Sequence, residues 1–137
     1  MGSQHMKKEQ EFNTWIRKQF YEATKPKGCV VQRIENTTSN GVPDIMVITQ
    51  DLVFLIESKF ETTNVRAEQK VFQINVNEVS DSVVCVTLSA YPKTKRLVVS
   101  VYDRECIRNK PLELTFTLDN EGFLEFYNFF LKAESTA

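Results

Sequence analysis

The segment GVPDIMVITQDLVFLIESKF, residues 41–60, constrains this chain more than any other. Two apolar runs, Ile45-Met46-Val47-Ile48 and Val53-Phe54-Leu55-Ile56, flank Gln50-Asp51, so the spacing predicts strands at about 44–49 and 53–59 joined as a hairpin. Side chains alternate faces along a strand, which puts Glu57 and Lys59 on one face and Phe54, Ile56 and Ser58 on the other. A glutamate and a lysine on so apolar a strand are costly to bury without partners. Asp44 opens the first strand after a Gly-Val-Pro turn, and the hairpin returns it to the neighbourhood of Glu57. Two carboxylates and an ammonium then share one pocket, which reads as a hard-metal site with a built-in cation.

The rest of the chain supplies the frame for that hairpin. Phe12, Trp15, Ile16 and Phe20 fall at helical spacing within 7–24, and Lys25-Pro26-Lys27-Gly28 ends that helix. A short strand at 29–34 and a polar loop at 35–41 precede the hairpin. Residues 61–66 connect it to a second helix over 66–79, whose apolar residues are Val71, Phe72, Ile74 and Val79. Strands at 82–89 and 96–102 surround the turn Tyr91-Pro92-Lys93-Thr94, and a further short strand falls at 112–118. Asp119-Asn120-Glu121-Gly122 leads into a last helix in which Phe123, Leu124, Phe126, Tyr127, Phe129, Phe130 and Leu131 nearly encircle the axis. Such a helix either offers a partner surface, a dimer contact for instance, or is wedged into its own core. The order α-β-β-β-α-β-β with a β-α tail predicts a mixed α/β fold, with the charged residues gathered at one edge of its central sheet.

A chain of 137 residues builds one domain, expected over 7–137. Met1-Gly2-Ser3-Gln4-His5-Met6 resembles a cloning leader, which places His5, the one histidine, outside the biology and removes histidine chemistry from consideration. With 42% hydrophobic and 26% charged residues the balance is that of a globular protein. No apolar run reaches the roughly 18 residues of a membrane span, and no secretory signal is evident. Cys29, Cys85 and Cys106 lack metal-like spacing, and their odd number fits a reducing cytosol. The net charge of -1 exerts no global pull on nucleic acid, so only local basic groups, such as Lys93, Lys95 and Arg96, could follow phosphates.

Hard carboxylate oxygens from Asp44 and Glu57 suit Mg²⁺, or Mn²⁺ in its place, rather than zinc. Mg²⁺ keeps several waters and borrows substrate phosphate oxygens, so two protein carboxylates suffice. Lys59 beside them can orient a water or offset charge at phosphorus.

Pro43-Asp44, an apolar strand and Glu57-Ser58-Lys59 resemble the signature of the PD-(D/E)xK nucleases. The polar loop at 36–41, Gly41-Val42-Pro43-Asp44 and Arg66-Ala67-Glu68-Gln69 bring the chain closer to the virus-type replication-repair nuclease (VRR-NUC) and Holliday-junction-resolvase branches. The resemblance covers about 9–90 as a catalytic core and leaves 103–137 as a C-terminal β-α extension. It implies a restriction-endonuclease-like fold, a mixed sheet flanked by helices. It also implies that Asp44, Glu57 and the Ser58 backbone carbonyl bind the metal, Lys59 is the catalytic lysine, and Gln69 holds the site or the attacking water. A first-helix glutamate reaching the metal is a further implication; Glu11 is the choice, with Glu9 and Glu22 as rivals. Asn40, Gly41 and Arg66 join Lys93, Lys95 and Arg96 as candidate nucleic-acid contacts.

The leading expectation is therefore a Mg²⁺- or Mn²⁺-dependent endonuclease for structured or branched DNA, of the junction or flap type, serving recombination or repair. Cutting both strands of a four-way junction calls for a symmetric homodimer, with the last helix as candidate interface. A cap-snatching viral RNA endonuclease shares the acid-acid-lysine core, although many of those add a histidine to the metal shell. A catalytically inactive nucleic-acid-binding module of the same fold is the third reading. The expected setting is the cytoplasm, or the host cytoplasm or nucleoid for a viral or phage protein.

Overall fold

The computed structural model describes residues 8–34, 41–103 and 110–136, with side chains described as far as Lys132. The leader, Asn40 and Cys106 lie outside the described residues. Helix α1 (Glu9–Ala23) is followed by strands β1 (Val30–Arg33), β2 (Ile45–Ile48) and β3 (Val53–Phe60). Helix α2 (Ala67–Val79) leads to β4 (Val83–Tyr91), and a 3-10 turn at Pro92–Thr94 joins it to β5 (Arg96–Val101). Strand β6 (Leu112–Thr117) and helix α3 (Asn120–Thr136) complete the chain. This is the element order read from the hydrophobic pattern.

The strands lie in one sheet in sequence order, β1-β2-β3-β4-β5-β6. Every neighbouring pair is antiparallel except β3 and β4, which run parallel. An antiparallel pair closes through a short turn, whereas a parallel pair needs a crossover, and α2 is that crossover. It therefore begins at the end of the sheet where β3 finishes.

The two faces of the sheet differ sharply in chemistry. One face carries Ile45, Val47, Phe54, Ile56, Val86, Leu88, Leu97 and Val99, all buried. Helix α1 covers it with Phe12, Trp15, Ile16 and Phe20, and α3 with Phe123, Phe126, Tyr127 and Phe130. The Phe20 ring sits at the centre, 5.1 Å from the Phe54 ring and 4.9 Å from that of Phe123. Offset and edge-on aromatic pairs of this kind add about 0.5–1.5 kcal/mol each to the area they bury. The wedged reading of the last helix thus describes its inward side, while Leu124 and Phe129 point outward and are 45% and 42% exposed.

The opposite face holds Glu57 and Lys59 from β3, and beside them Thr87 and Ser89 from β4 and Ser100 from β5. Helix α2 buries amides against this face. Val71 and Val79 are exposed, and the residues that α2 buries are Gln69 and Gln73. The sheet face beneath is polar around Thr87, Ser89 and Ser100, so the helix turns its amides inward to meet it and leaves valines in solvent. Contrary to expectation, the charged residues do not sit at an edge of the sheet. Strand β3 is the third of six, hydrogen-bonded on both sides, so Glu57 lies mid-sheet near a strand end. Among the described residues, no helix is long and apolar enough to cross a membrane.

Candidate active site

Asp44 enters the sheet through Gly41-Val42-Pro43. Gly41 has φ +92°, and a Cβ there would stand 2.6 Å from the carbonyl oxygen of Glu68. Only glycine both adopts that backbone and admits the first turn of α2 so closely. The Asp44 N–H then donates to the Ile56 carbonyl at 3.0 Å, one step beyond the last ladder pair, Ile45 with Ile56. The Asp44 carboxylate stands in for further main-chain pairing: its Oδ2 accepts the Ser58 N–H at 3.3 Å and the Ser58 hydroxyl at 3.2 Å. One carboxylate edge is thereby held to β3, on the strand that bears Glu57.

Glu57 is buried, with 6% of its surface exposed. Burial is the main reason its carboxyl is pushed up to about 7 from an ordinary 4.5, and the Asp44 charge beside it is the next. Lys59 and a hydrogen bond from the Gln69 side chain pull the other way without winning. The Lys59 ammonium approaches Glu57 Oε2 to 3.7 Å, and the lysine side chain is one-fifth exposed. Gln69 is buried in the first turn of α2, where its Oε1 accepts the Arg66 N–H at 2.8 Å as a helix cap. That bond fixes the orientation of the amide and commits its N–H₂ end to Glu57. The structure thus brings Asp44, Glu57, Ser58, Lys59 and Gln69 together.

The first helix contributes through its first residue. The charge of Glu9 acts on Glu57 and raises its carboxyl slightly further. Glu11 is two positions on, roughly 200° around the helix from Glu9. Glu22 lies near the other end of α1, roughly 20 Å along the axis, where it pairs with Lys25 at 2.9 Å.

The basic candidates lie at the same end of the sheet as Glu57 and Lys59. Phe60 is in register with Ala90, so the loop after β3, with Arg66, and the turn after β4, with Lys93, Lys95 and Arg96, both project there. Arg66, Lys93, Lys95 and Arg96 are exposed. Arg96 lies over the Tyr91 ring at 4.7 Å from its centre, and its Nε donates to Thr94 Oγ1. Gly41 sits at this end too, through its contact with Glu68.

Sequence reasoning missed three residues that surround this site. Gln73 donates to Thr87 Oγ1 at 2.8 Å, and Thr87 is the register partner of Glu57 on β4. Asn77 donates to the carbonyls of Cys85 and Tyr102 and accepts the Cys85 N–H, each at 2.9 Å. The available signal was amides at 69, 73 and 77, spaced four apart along one helix stripe. Cys85, on this face, is a core thiol: burial, with a smaller push from Glu57, raises it to about 12, so it stays protonated and inert.

The donor set fits a hard divalent cation. Two carboxylates that repel each other in a buried setting gain most when a cation comes between them. Among the described residues no cluster of three or more His, Cys, Asp or Glu side chains could hold a metal, so remaining positions would fall to main-chain oxygen, water or substrate.

No family model and no curated protein sequence matches the chain. Among solved structures it is similar to Hjc, a Holliday junction resolvase from the archaeal hyperthermophile Archaeoglobus fulgidus. The TM-score is 0.53 at 14% identity, covering 87% of this chain and 98% of the resolvase. The mixed six-stranded sheet flanked by helices is a restriction-endonuclease-like fold.

Proposed function

We propose that this protein is a divalent-metal-dependent endonuclease that hydrolyses phosphodiester bonds in branched DNA. The observation that carries the proposal is the meeting of Asp44 and Glu57 beside Lys59 at a mid-sheet strand end. The fold shared with a Holliday junction resolvase supports the choice of substrate. Asp44 and Glu57 hold Mg²⁺ or Mn²⁺, with the Ser58 carbonyl as a further ligand. The metal, when bound, acidifies a water and offsets charge on the phosphodiester. Lys59 orients the water and faces the negative charge that grows on the phosphate oxygens. Gln69, capped at Arg66, keeps the Glu57 carboxylate turned toward the ion. Glu9 is the first-helix acid of this reading, because its charge already reaches Glu57. Arg66, Lys93, Lys95 and Arg96 guide the phosphate backbone toward Asp44 and Glu57, which makes binding salt-dependent.

One site per chain cuts one strand, so resolving a four-way junction requires a symmetric dimer. The outward Leu124 and Phe129 of α3 support that helix as its contact. The decisive experiment is a Mn²⁺ cleavage panel over hairpin, flap, four-way-junction, linear and RNA substrates, with Glu57→Ala as control. Cleavage of branched DNA by the wild type alone is expected. Absence of cleavage on every substrate, or equal cleavage by Glu57→Ala, would overturn the proposal.

A further inference from the structure

The seam between α2 and the sheet consists of amides where a core would ordinarily be apolar. Gln69, Gln73 and Asn77 recur every four residues and face the sheet together. Each bonds a different point: Gln69 reaches Glu57 on β3, Gln73 reaches Thr87 on β4, and Asn77 reaches the main chain at Cys85 and Tyr102. Glu57 and Thr87 are register partners on adjacent strands. The Gln69–Glu57 and Gln73–Thr87 bonds are therefore neighbouring rungs between one helix and one row of the sheet.

This arrangement is expensive. Gln73 Oε1 is buried without a protein partner among the described residues, and so are the hydroxyls of Ser89, two residues along β4 from Thr87, and Ser100, its register partner on β5. An unsatisfied buried oxygen costs about 1–3 kcal/mol, less when internal water reaches it. Stability alone favours leucine at 73 and valine at 87. A hydrogen bond between fixed partners does what leucine cannot: it sets the helix at a single rotation and height on the sheet.

We propose that Gln73 and Thr87 are positioning residues, which fix α2 so that the Gln69 amide meets the Glu57 carboxylate. The proposal rests on the metal-site reading given above, and its test separates the two. The Gln69 side-chain N–H₂ resonances are followed by NMR in metal-free protein, and Mn²⁺ affinity is then measured by calorimetry. The double variant Gln73→Leu/Thr87→Val removes both partners at once and strands neither. It is expected to keep or raise the urea midpoint, to shift the Gln69 amide signals toward those of a free side chain, and to weaken Mn²⁺ binding about tenfold. Thr87→Ser, which keeps the hydroxyl, is expected to restore both readouts. Should the double variant fail to fold, Thr87→Val alone carries the test.

Unmoved Gln69 signals would overturn the proposal whatever the metal does. So would a shifted signal with unchanged Mn²⁺ affinity. Wild-type protein that binds no Mn²⁺, in which the Gln69 signals still respond to the double variant, would uphold the positioning and remove the metal reading.

Discussion

Replacing Glu57 by glutamine in metal-free protein isolates what the acid pair costs the fold. The Glu57 carboxyl stands near 7 in the folded protein against an ordinary 4.5. Between those values the folded state holds a proton that the unfolded state has lost, so stability falls as pH rises through this window. At about 1.4 kcal/mol per unit, the loss approaches about 3 kcal/mol above pH 7. Glutamine is neutral at every pH, has nearly the same shape, and still offers Gln69 an oxygen. Wild type and Glu57→Gln should therefore be similar in stability near pH 4.5, and the variant should be more stable by about 3 kcal/mol at pH 8. Urea unfolding followed by the fluorescence of Trp15, the one tryptophan, reads the difference, because this ring is buried between Phe12 and Phe123. Other carboxylates titrate in both proteins and largely cancel. Mn²⁺ at a hundredfold excess over its dissociation constant should return about 2.7 kcal/mol to wild type and little to the variant. A stability difference that stays constant from pH 4.5 to 8 would refute the reasoning, since burial and the Asp44 charge would then not act on Glu57 as the geometry requires.

Three further outcomes are expected. Lys59→Met should bind Mn²⁺ at least as well as wild type, because it removes a competing cation, yet lose about 10²–10³-fold in single-turnover cleavage rate. Phe54→Ala empties the aromatic centre of the core and should cost about 3–5 kcal/mol by urea denaturation, without altering metal affinity in the fraction that remains folded. Gly41→Ala combines a left-handed backbone with a Cβ 2.6 Å from the Glu68 carbonyl, so Asp44 and α2 must part. It should lower both the melting temperature and Mn²⁺ affinity, and unchanged affinity would sever the link between that turn and the site.

The sequence exposed the fold well where one side of an element faces a uniform environment. The hairpin of β2 and β3, and the helices α1 and α3, follow alternation or helical spacing because an apolar core waits on one side of each. Asp44, Glu57, Lys59 and Gln69 were legible as charged or polar residues at fixed spacing from strand and helix starts. What stayed hidden lay in α2. Its apolar residues Val71, Phe72, Ile74 and Val79 do not reveal its inward face, and only the sheet beneath, with Thr87 and Ser89 beside Glu57 and Lys59, makes its glutamines that face. The effect of Glu9 on Glu57 was likewise invisible, since it depends on how α1 is placed against the sheet. Alternation placed Ser58 with Phe54 and Ile56 but gave no role to its hydroxyl, which donates to the Asp44 carboxylate, fourteen residues earlier in the chain.

Why the acids sit mid-sheet follows from the one parallel pair. Antiparallel neighbours would let β3 turn directly into β4 and leave the end of β3 closed by a tight loop. The parallel step forces the chain to leave at Phe60, travel through 61–66 and return along α2, so a helix N-terminus and a capped glutamine arrive beside Glu57. The same step places the β4–β5 turn, with Lys93, Lys95 and Arg96, at that end, beyond the Lys59–Ser89 register pair. A carboxylate pair at an exposed sheet edge would be hydrated, little shifted and weakly selective for a cation. Held between two hydrogen-bonded strands and under a helix, Glu57 is desolvated, and on the proposed reading its repulsion with Asp44 would become the driving force for taking up a divalent ion. The stability lost at Glu57 above pH 7 and the metal affinity that the proposed function requires would then be two readings of one electrostatic interaction.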